Sequence, residues 1–265
     1  MIKAAKEFEN RIKDERRSRI KRYPCYTNRA SEIGHPCERY LYFNRTEWDK
    51  TELHDEGLQA IFDEGHHQEK EVIKTLMAAD IEVFHQQTAV SRDALFKKYN
   101  ISGHMDLKVR VADRAIPCDV KSMAPHYFES VNTQADFENH SAPHIRKYIA
   151  QLMIYSIGSD EEYGYMILKN KSTGQIKFVL VKIDFGYVES LIQKAERING
   201  YVATKTPPRP SWRMIMTTVT AANTKPPATP KSLQTIHFTS CRNPNFWRIC
   251  NAFIQSRKSA RNTPN

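Results

Sequence analysis

Ile101-Ser102-Gly103-His104-Met105-Asp106, followed by Ile116-Pro117-Cys118-Asp119-Val120-Lys121, is the stretch on which the reading of this chain turns. Both segments are short, apolar and rich in β-branched residues, the composition of strands, and the intervening Ala112-Asp113-Arg114-Ala115 is polar enough to turn the chain. Side chains of a strand alternate faces, so Asp119 and Lys121 share one face and Val120 points to the other. A hairpin brings Asp106 to the Asp119 face. Two carboxylates and a lysine at one strand edge suit metal-assisted hydrolysis of a phosphodiester. Oxygen ligands hold a hard cation such as Mg²⁺ or Mn²⁺. The cation polarises the phosphate and acidifies a bound water, and a lysine orients that water or offsets charge in the transition state. In isolation, Asp-X-Lys is more simply a surface hairpin with salt-bridged charges. The flanking sequence decides between the two.

Upstream, Glu56 to Ala79 carries Leu58, Ile61, Phe62, Val72, Ile73, Leu76 and Met77 at helical spacing. Within it lies Gly65-His66-His67-Gln68-Glu69. Downstream, Ala142 to Ile157 reads as a second helix on which Gln151 and Tyr155, one turn apart, share a face. Tyr163–Leu168 and Ile176–Val181 read as strands around a turn at Ser172-Thr173-Gly174, and Asp184 as the N-cap of a helix to about Tyr201. The order of the central elements is helix, three strands, helix, strand.

In that order the chain resembles the PD-(D/E)XK nucleases, in particular the RecB-type branch, which includes CRISPR-adaptation nucleases and phage exonucleases. Gly65-X-X-X-Glu69 resembles the helix motif, although its last position is often histidine. Gly103-X-X-Asp106 resembles the second motif, Asp119-Val120-Lys121 the signature, and Gln151-X-X-X-Tyr155 the motif of this branch. Ser31-Glu32-Ile33-Gly34-His35-Pro36-Cys37-Glu38-Arg39-Tyr40 resembles the opening segment. Each motif is weak alone; their order and spacing over residues 30 to 210 make the signal.

The resemblance implies an α/β, restriction-endonuclease-like core whose mixed central sheet is flanked by helices. It implies Glu69, Asp106, Asp119 and the carbonyl of Val120 as ligands of Mg²⁺ or Mn²⁺, and Lys121 as the residue that positions the attacking water. Gln151 and Tyr155 support the site. The activity implied is a metal-dependent DNA nuclease, an exonuclease acting on single strands or ends, working in repair or recombination beside partner proteins. The alternative is a catalytically idle DNA-binding or assembly subunit that keeps the fold; intact Asp106, Asp119 and Lys121 argue against it. His66 and His67 are read as solvated or DNA-facing histidines, His66 the nearer to the site; His104, on the Asp106 face, is read either as a metal or phosphate contact or as a plain hydrogen-bonded histidine. Arg39 and Tyr40 are read as a packing pair, and Phe62, Phe128 and Tyr148 as core or rim.

The chain has 265 residues and a net charge of +10, but all 30 acidic residues fall at or before Glu196. The basic excess therefore belongs to the last stretch and says little about DNA binding by the core; Arg11 to Arg22 and Arg146-Lys147 are local candidates for phosphate contacts. Residues 1–29 are expected to form a charged, exposed helical segment. No apolar run is long enough to span a membrane and no secretory signal opens the chain, which makes cytoplasmic residence the default.

Beyond Trp212 the sequence changes character. Thr217 to Pro230 is rich in Thr, Ala and Pro without apolar periodicity, so residues 211–265 are expected to be a poorly ordered basic tail. Members of the branch often hold an iron–sulfur cluster on three late cysteines and one early one. Cys37 stands at the early position. The late trio is missing, because Cys25, Cys118, Cys241 and Cys250 are scattered, and a cluster is not expected. Back-translating Trp212 to Ala228 and shifting the frame by one base permits A-D-D-Y-D-Y-C-D-C-R-Q-Y-K-A-T-C. That stretch is acidic and holds three cysteines, so the tail is also read as frame-displaced sequence.

Overall fold

The structure is a computed structural model that describes residues 2–84, 86–89 and 94–209. The expectations for the tail, for Cys241 and Cys250, and for a displaced frame lie outside these residues.

The core of the fold is the hairpin anticipated from Asp106 and Lys121. Strand β6 (Leu107–Val111) runs antiparallel to β7 (Arg114–Met123), with Leu107 opposite Cys118 and Val111 opposite Arg114. The turn is tighter than expected. Only Ala112 and Asp113 lie outside the ladder, and Ala112 takes the left-handed φ of 51° that so short a reversal requires. On its other side β7 pairs in parallel with β8 (Tyr163–Asn170), which pairs antiparallel with β9 (Ile176–Lys182). With β2 (Val83–Phe84) beyond β6, the five-stranded mixed sheet has the order β2-β6-β7-β8-β9. Pro117 lies inside central β7, where the missing N–H would cost a ladder bond. The pairing with β8 starts one residue later, at Cys118.

Two layers of helix cover the sheet. Helix α4 (Glu56–Ala78) starts at Asp55, whose carboxylate accepts the Leu58 N–H at 2.8 Å. It buries Val72, Ile73 and Leu76 against Leu107, Val109, Ile116, Cys118, Val120 and Ile167. Its first turns depart from expectation: Leu58, Ile61 and Phe62 are exposed, as is Met77. Their helical spacing forms the helix, but this half of α4 projects past the core.

Helix α8 (Pro143–Gly158) is buried nearly all round over its second half, from Ile149 to Ile157. On its outer side lies the short α2 (Ala30–Ile33), packed so closely that a Cβ on Gly34 would stand 2.7 Å from Ala150 Cβ. Lys194 of α9 (Phe185–Ala203) donates to the carbonyls of Ile33 and His35 at 3.0 and 3.1 Å, holding the end of α2. Asp184 caps α9 as expected, accepting from Tyr187 N–H at 3.0 Å. Cys37 Sγ accepts the Tyr40 N–H at 3.4 Å and so caps α3 (Glu38–Thr46).

Helix α1 (Ile2–Arg19) buries no residue, as its charge predicts. Among the described residues no helix is long and apolar enough to cross a membrane.

Candidate active site

The segment read as a single strand from Ile101 to Asp106 is two short strands in different ladders. Strand β4 (Ile101–Ser102) runs parallel to β1 (Asn28–Arg29), and β5 (His104–Met105) pairs antiparallel with β3 (Thr88–Ala89). Gly103 breaks the first pair from the second, and Asp106 stands at the step into β6. The reason for glycine is steric. A Cβ at Gly103 would lie 3.0 Å from the Tyr155 hydroxyl and 3.1 Å from Ala30 Cβ. Thus the glycine of one motif makes room for the tyrosine of another.

Asp106 reaches the expected face. Its Oδ2 accepts the backbone N–H of Val120 at 2.8 Å, so the second acid is tied to the peptide between Asp119 and Lys121. Lys121 Nζ lies 2.7 Å from Asp119 Oδ2 and 5.1 Å from the centroid of the Tyr148 ring. Asp119 is 0% exposed and Lys121 keeps 21% of its side-chain surface. Despite the lysine, neither oxygen of Asp119 receives a well-directed hydrogen bond. Buried carboxylates usually have donors, so this one stands out. Burial pushes Asp119 up to about 7; Lys121 opposes the shift, while Asp106 and Glu69 reinforce it. Burial works against the Lys121 ammonium, but the charges of Asp119 and Asp106 more than offset it and hold the lysine protonated.

Glu69 approaches from elsewhere. It belongs to α4, the helix packed on the Val120 face of β7, whereas Asp119 and Lys121 project from the opposite face, toward α8. Its carboxylate is half-buried and raised, first by burial and then by the charge of Asp106. Gln87, which the sequence reading missed, connects the two. Its side chain donates to Glu69 Oε1, and its backbone N–H donates to the Asp106 carbonyl at 3.0 Å. Gln87 sits in a loop at a φ of 50°, and nothing in its local sequence marks it.

Behind the acids, Gln151 Nε2 donates to the Tyr155 hydroxyl at 3.0 Å, both side chains being buried in α8. Burial, with Asp119 next, raises the Tyr155 phenol well above its ordinary range. The pairing foreseen on one helix face is therefore present and lies beside the carboxylates.

Of the other candidates, His66 stands near enough to Glu69 to oppose the rise of its carboxylate. His66, His67 and His104 are exposed. Arg39 and Tyr40 do not pack together: Arg39 stacks over Phe43 and donates to the Pro208 carbonyl at 2.8 Å, and Tyr40 stacks on His35. Phe128 is core, Phe62 is exposed, and Tyr148 lies against Lys121. Several of the proposed phosphate contacts are already engaged. Lys147 pairs with Glu32 at 3.1 Å, Arg146 donates to the carbonyls of His140 and Ser141, and Arg17 and Arg19 pair with Glu56 and Asp63 of α4. Cys37 is a helix cap, while Cys25 and Cys118 are buried thiols, Cys118 pushed up to about 12 by burial.

Among the described residues, no three His, Cys, Asp or Glu side chains cluster closely enough to hold a metal ion. Two carboxylates still fit a hard cation. Asp119 offers a desolvated carboxylate whose one close donor is Lys121, and Asp106 Oδ2 already faces the Val120 peptide. Both are hard oxygen ligands of the type Mg²⁺ and Mn²⁺ take.

No protein-family model matches the chain, and no curated protein sequence matches it. Among solved structures it is similar to the alkaline exonuclease LHK-Exo from Laribacter hongkongensis, at 9% identity and a TM-score of 0.46 over 74% of this chain and 95% of that one. LHK-Exo in complex with dAMP aligns at 9% identity with a TM-score of 0.45 over the same shares. SSO0001 aligns at 14% identity and 0.40 over 83% of this chain and 96% of its own. The site stands on its own residues. The fold is α/β, a five-stranded mixed sheet flanked by helices.

Proposed function

We propose that this chain is a metal-dependent nuclease of the RecB-type branch that hydrolyses DNA phosphodiester bonds, acting as an exonuclease on single strands or ends. The observation that carries the reading is the Asp119 carboxylate: fully buried, with no backbone or neutral side-chain donor, 2.7 Å from Lys121, and next to an Asp106 pinned to the Val120 peptide. A purely structural carboxylate in that position would be costly to retain.

Asp106 and Asp119 would hold a divalent cation, with the Val120 carbonyl and Glu69 completing its oxygen shell. When bound, Mg²⁺ or Mn²⁺ supplies Lewis acidity to the phosphate and lowers the pKa of water. Lys121, kept protonated by its acidic neighbours, donates a hydrogen bond to the attacking water or to a phosphate oxygen as negative charge builds there. Gln151 and Tyr155 fix the back wall, and the phenol, held protonated, offers a donor rather than a base. DNA is the partner, and the site leaves room for recombination or repair proteins only as further partners.

The test is incubation of purified protein with end-labelled single-stranded and duplex DNA, in Mn²⁺ or in EDTA, beside Asp119→Ala. Shortening of the labelled strand only in Mn²⁺ and only with the unsubstituted chain supports the reading. Equal degradation by both proteins would place the activity in a contaminant.

A further inference from the structure

We propose that the cleft between the segment following α1, helix α3 and the first turns of α4 is a track for single-stranded DNA leading to the Asp106–Asp119–Lys121 edge. The inference rests on the nuclease reading of that edge and gives it a substrate surface. The cleft measures about 530 Å³, within the ~300–1,000 Å³ range of ligand sites.

Its walls combine two features. Tyr23, Tyr40 and Phe62 line it and are exposed; Tyr40 leans on His35 and Phe62 meets His54 edge to face, so Tyr23, the most exposed of the three, offers the freest ring to a base. Lys21, Arg22 and Arg29 also line it, and among the described residues none of the three has a carboxylate partner. This contrasts with Arg17 and Arg19 of α1, which are spent on α4 acids. Among the described residues, Arg22 and Arg29 are bonded only to the carbonyls of Thr51 and Pro24, at 3.1 and 3.4 Å. Exposed rings beside cations that lack a carboxylate partner suit an unpaired nucleic-acid strand, because every base has a face to stack and every linkage a charge.

A buried cation lies beneath the wall. Arg45 is 9% exposed, lines the cleft and has no acidic partner. Its Nη1 donates to Asn28 and Asn199 Oδ1, its Nη2 to the Tyr26 carbonyl, and its Nε finds no acceptor. A guanidinium held in a low-dielectric floor by neutral groups alone projects its positive field into the cleft and favours an anion there. Two carboxylates line the same space: Glu32, which Lys147 neutralises, and the exposed Glu52. Cations outnumber them.

The cleft also borders the site. His66 lines it one turn before Glu69 on α4, and Thr27, bonded to Ser102, lines it next to Gly103. The stacking rings select unpaired strands, since a duplex keeps its bases stacked inside.

Binding of labelled oligothymidylate and of a duplex of equal length, measured by anisotropy in EDTA so that nothing is cut, tests the track on the full chain. Tyr23→Ala combined with Phe62→Ala is expected to weaken single-strand binding by about tenfold or more and duplex binding by less than about twofold. Tyr23→Phe, which keeps the ring, is expected to retain affinity. Lys21→Glu, on an exposed residue, is expected to lower the salt slope of single-strand binding by about 0.7 or more. A double variant that melts like the parent and binds single strands within about twofold of it overturns the track, as does a parent with no preference for single strands. Cleavage that survives those results leaves the nuclease reading standing. Single-strand binding through the cleft without cleavage in Mn²⁺ overturns the nuclease reading and leaves the track.

Discussion

The Tyr155 hydroxyl lies where a Cβ on Gly103 would stand 3.0 Å from it, so one residue of α8 and one break between two short strands share a single space. Tyr155 is fully buried and bonded to Gln151, and it has little freedom to yield. Gly103→Ala is expected to displace the phenol or the Asp106 step and to cost about 1–3 kcal/mol of stability by overpacking. Activity should fall further than stability, because Asp106 is three residues away. Denaturant melts and initial rates on labelled DNA measure both; an alanine variant with parental rates would show that the contact does not position the site.

Metal binding has a readout that needs no substrate. Saturating Mn²⁺ at 100 times its Kd should stabilise the protein by about 2.7 kcal/mol, a rise in Tm of several degrees for a domain of this size. Asp119→Asn should abolish that rise. Without metal the same variant should melt at or below the parent temperature, since it leaves the Lys121 ammonium without its carboxylate partner. Differential scanning fluorimetry with and without Mn²⁺ decides, and a preserved rise in Asp119→Asn would remove Asp119 from the ligand set.

Lys121→Ala separates chemistry from binding. Its ammonium is occupied by Asp119 and Tyr148 rather than offered to a distant phosphate. Cleavage should slow by orders of magnitude while DNA affinity in Ca²⁺ stays nearly unchanged, because the lysine acts on the transition state. A matched loss in rate and affinity would instead identify a phosphate-binding lysine.

His35 gives a pH dependence. Its ring accepts the Cys37 N–H at Nδ1, 3.1 Å away, and burial lowers its pKa below 6.5, with Lys147 and Lys194 adding to the shift. A histidine depressed in the folded state stabilises fully above its unfolded pKa of ~6.5 and loses that contribution as pH falls. The parent should therefore lose more Tm between pH 7.5 and about 5.5 than His35→Gln, which cannot take up the proton. Equal losses would show that carboxylates alone set the acid limb.

Cys37 tests the cluster question. As the cap of α3 it offers a weak sulfur acceptor, and Cys37→Ser should leave stability unchanged or improve it by up to about 1 kcal/mol. Loss of stability together with loss of visible absorbance in the purified protein would reveal an iron–sulfur ligand instead.

Much of the site was legible because its chemistry sits on periodic elements. Alternation put Asp119 and Lys121 on one face, and a one-turn spacing put Gln151 next to Tyr155. The hairpin of β6 and β7 followed from the same alternation, whereas the strand order of the sheet did not. The exposure of the first half of α4 was not legible, since Leu58, Ile61 and Phe62 repeat with helical spacing whether or not a partner covers them. Gln87 and the Arg45 floor were invisible for another reason. They act through contacts between segments far apart in the chain, and no local pattern encodes such contacts. The position of Glu69 shows a third limit: its spacing from Gly65 places it on a helix, but only the sheet decides which face that helix covers.

The clasp of Arg45 with Asn28 and Asn199 has a consequence for how the chain comes to be folded. Asn28 Nδ2 donates to Asn199 Oδ1 at 3.1 Å across 171 residues of sequence, with Arg45 bonded to both. Contacts of such separation form late, after the loop between them has been ordered. During synthesis the β1–α3 region leaves the ribosome early, yet its arginine has no complete set of acceptors until α9 emerges. The Arg45 clasp therefore ties the first segments of the core to its last helix, and it is complete only once both ends of the core are in place.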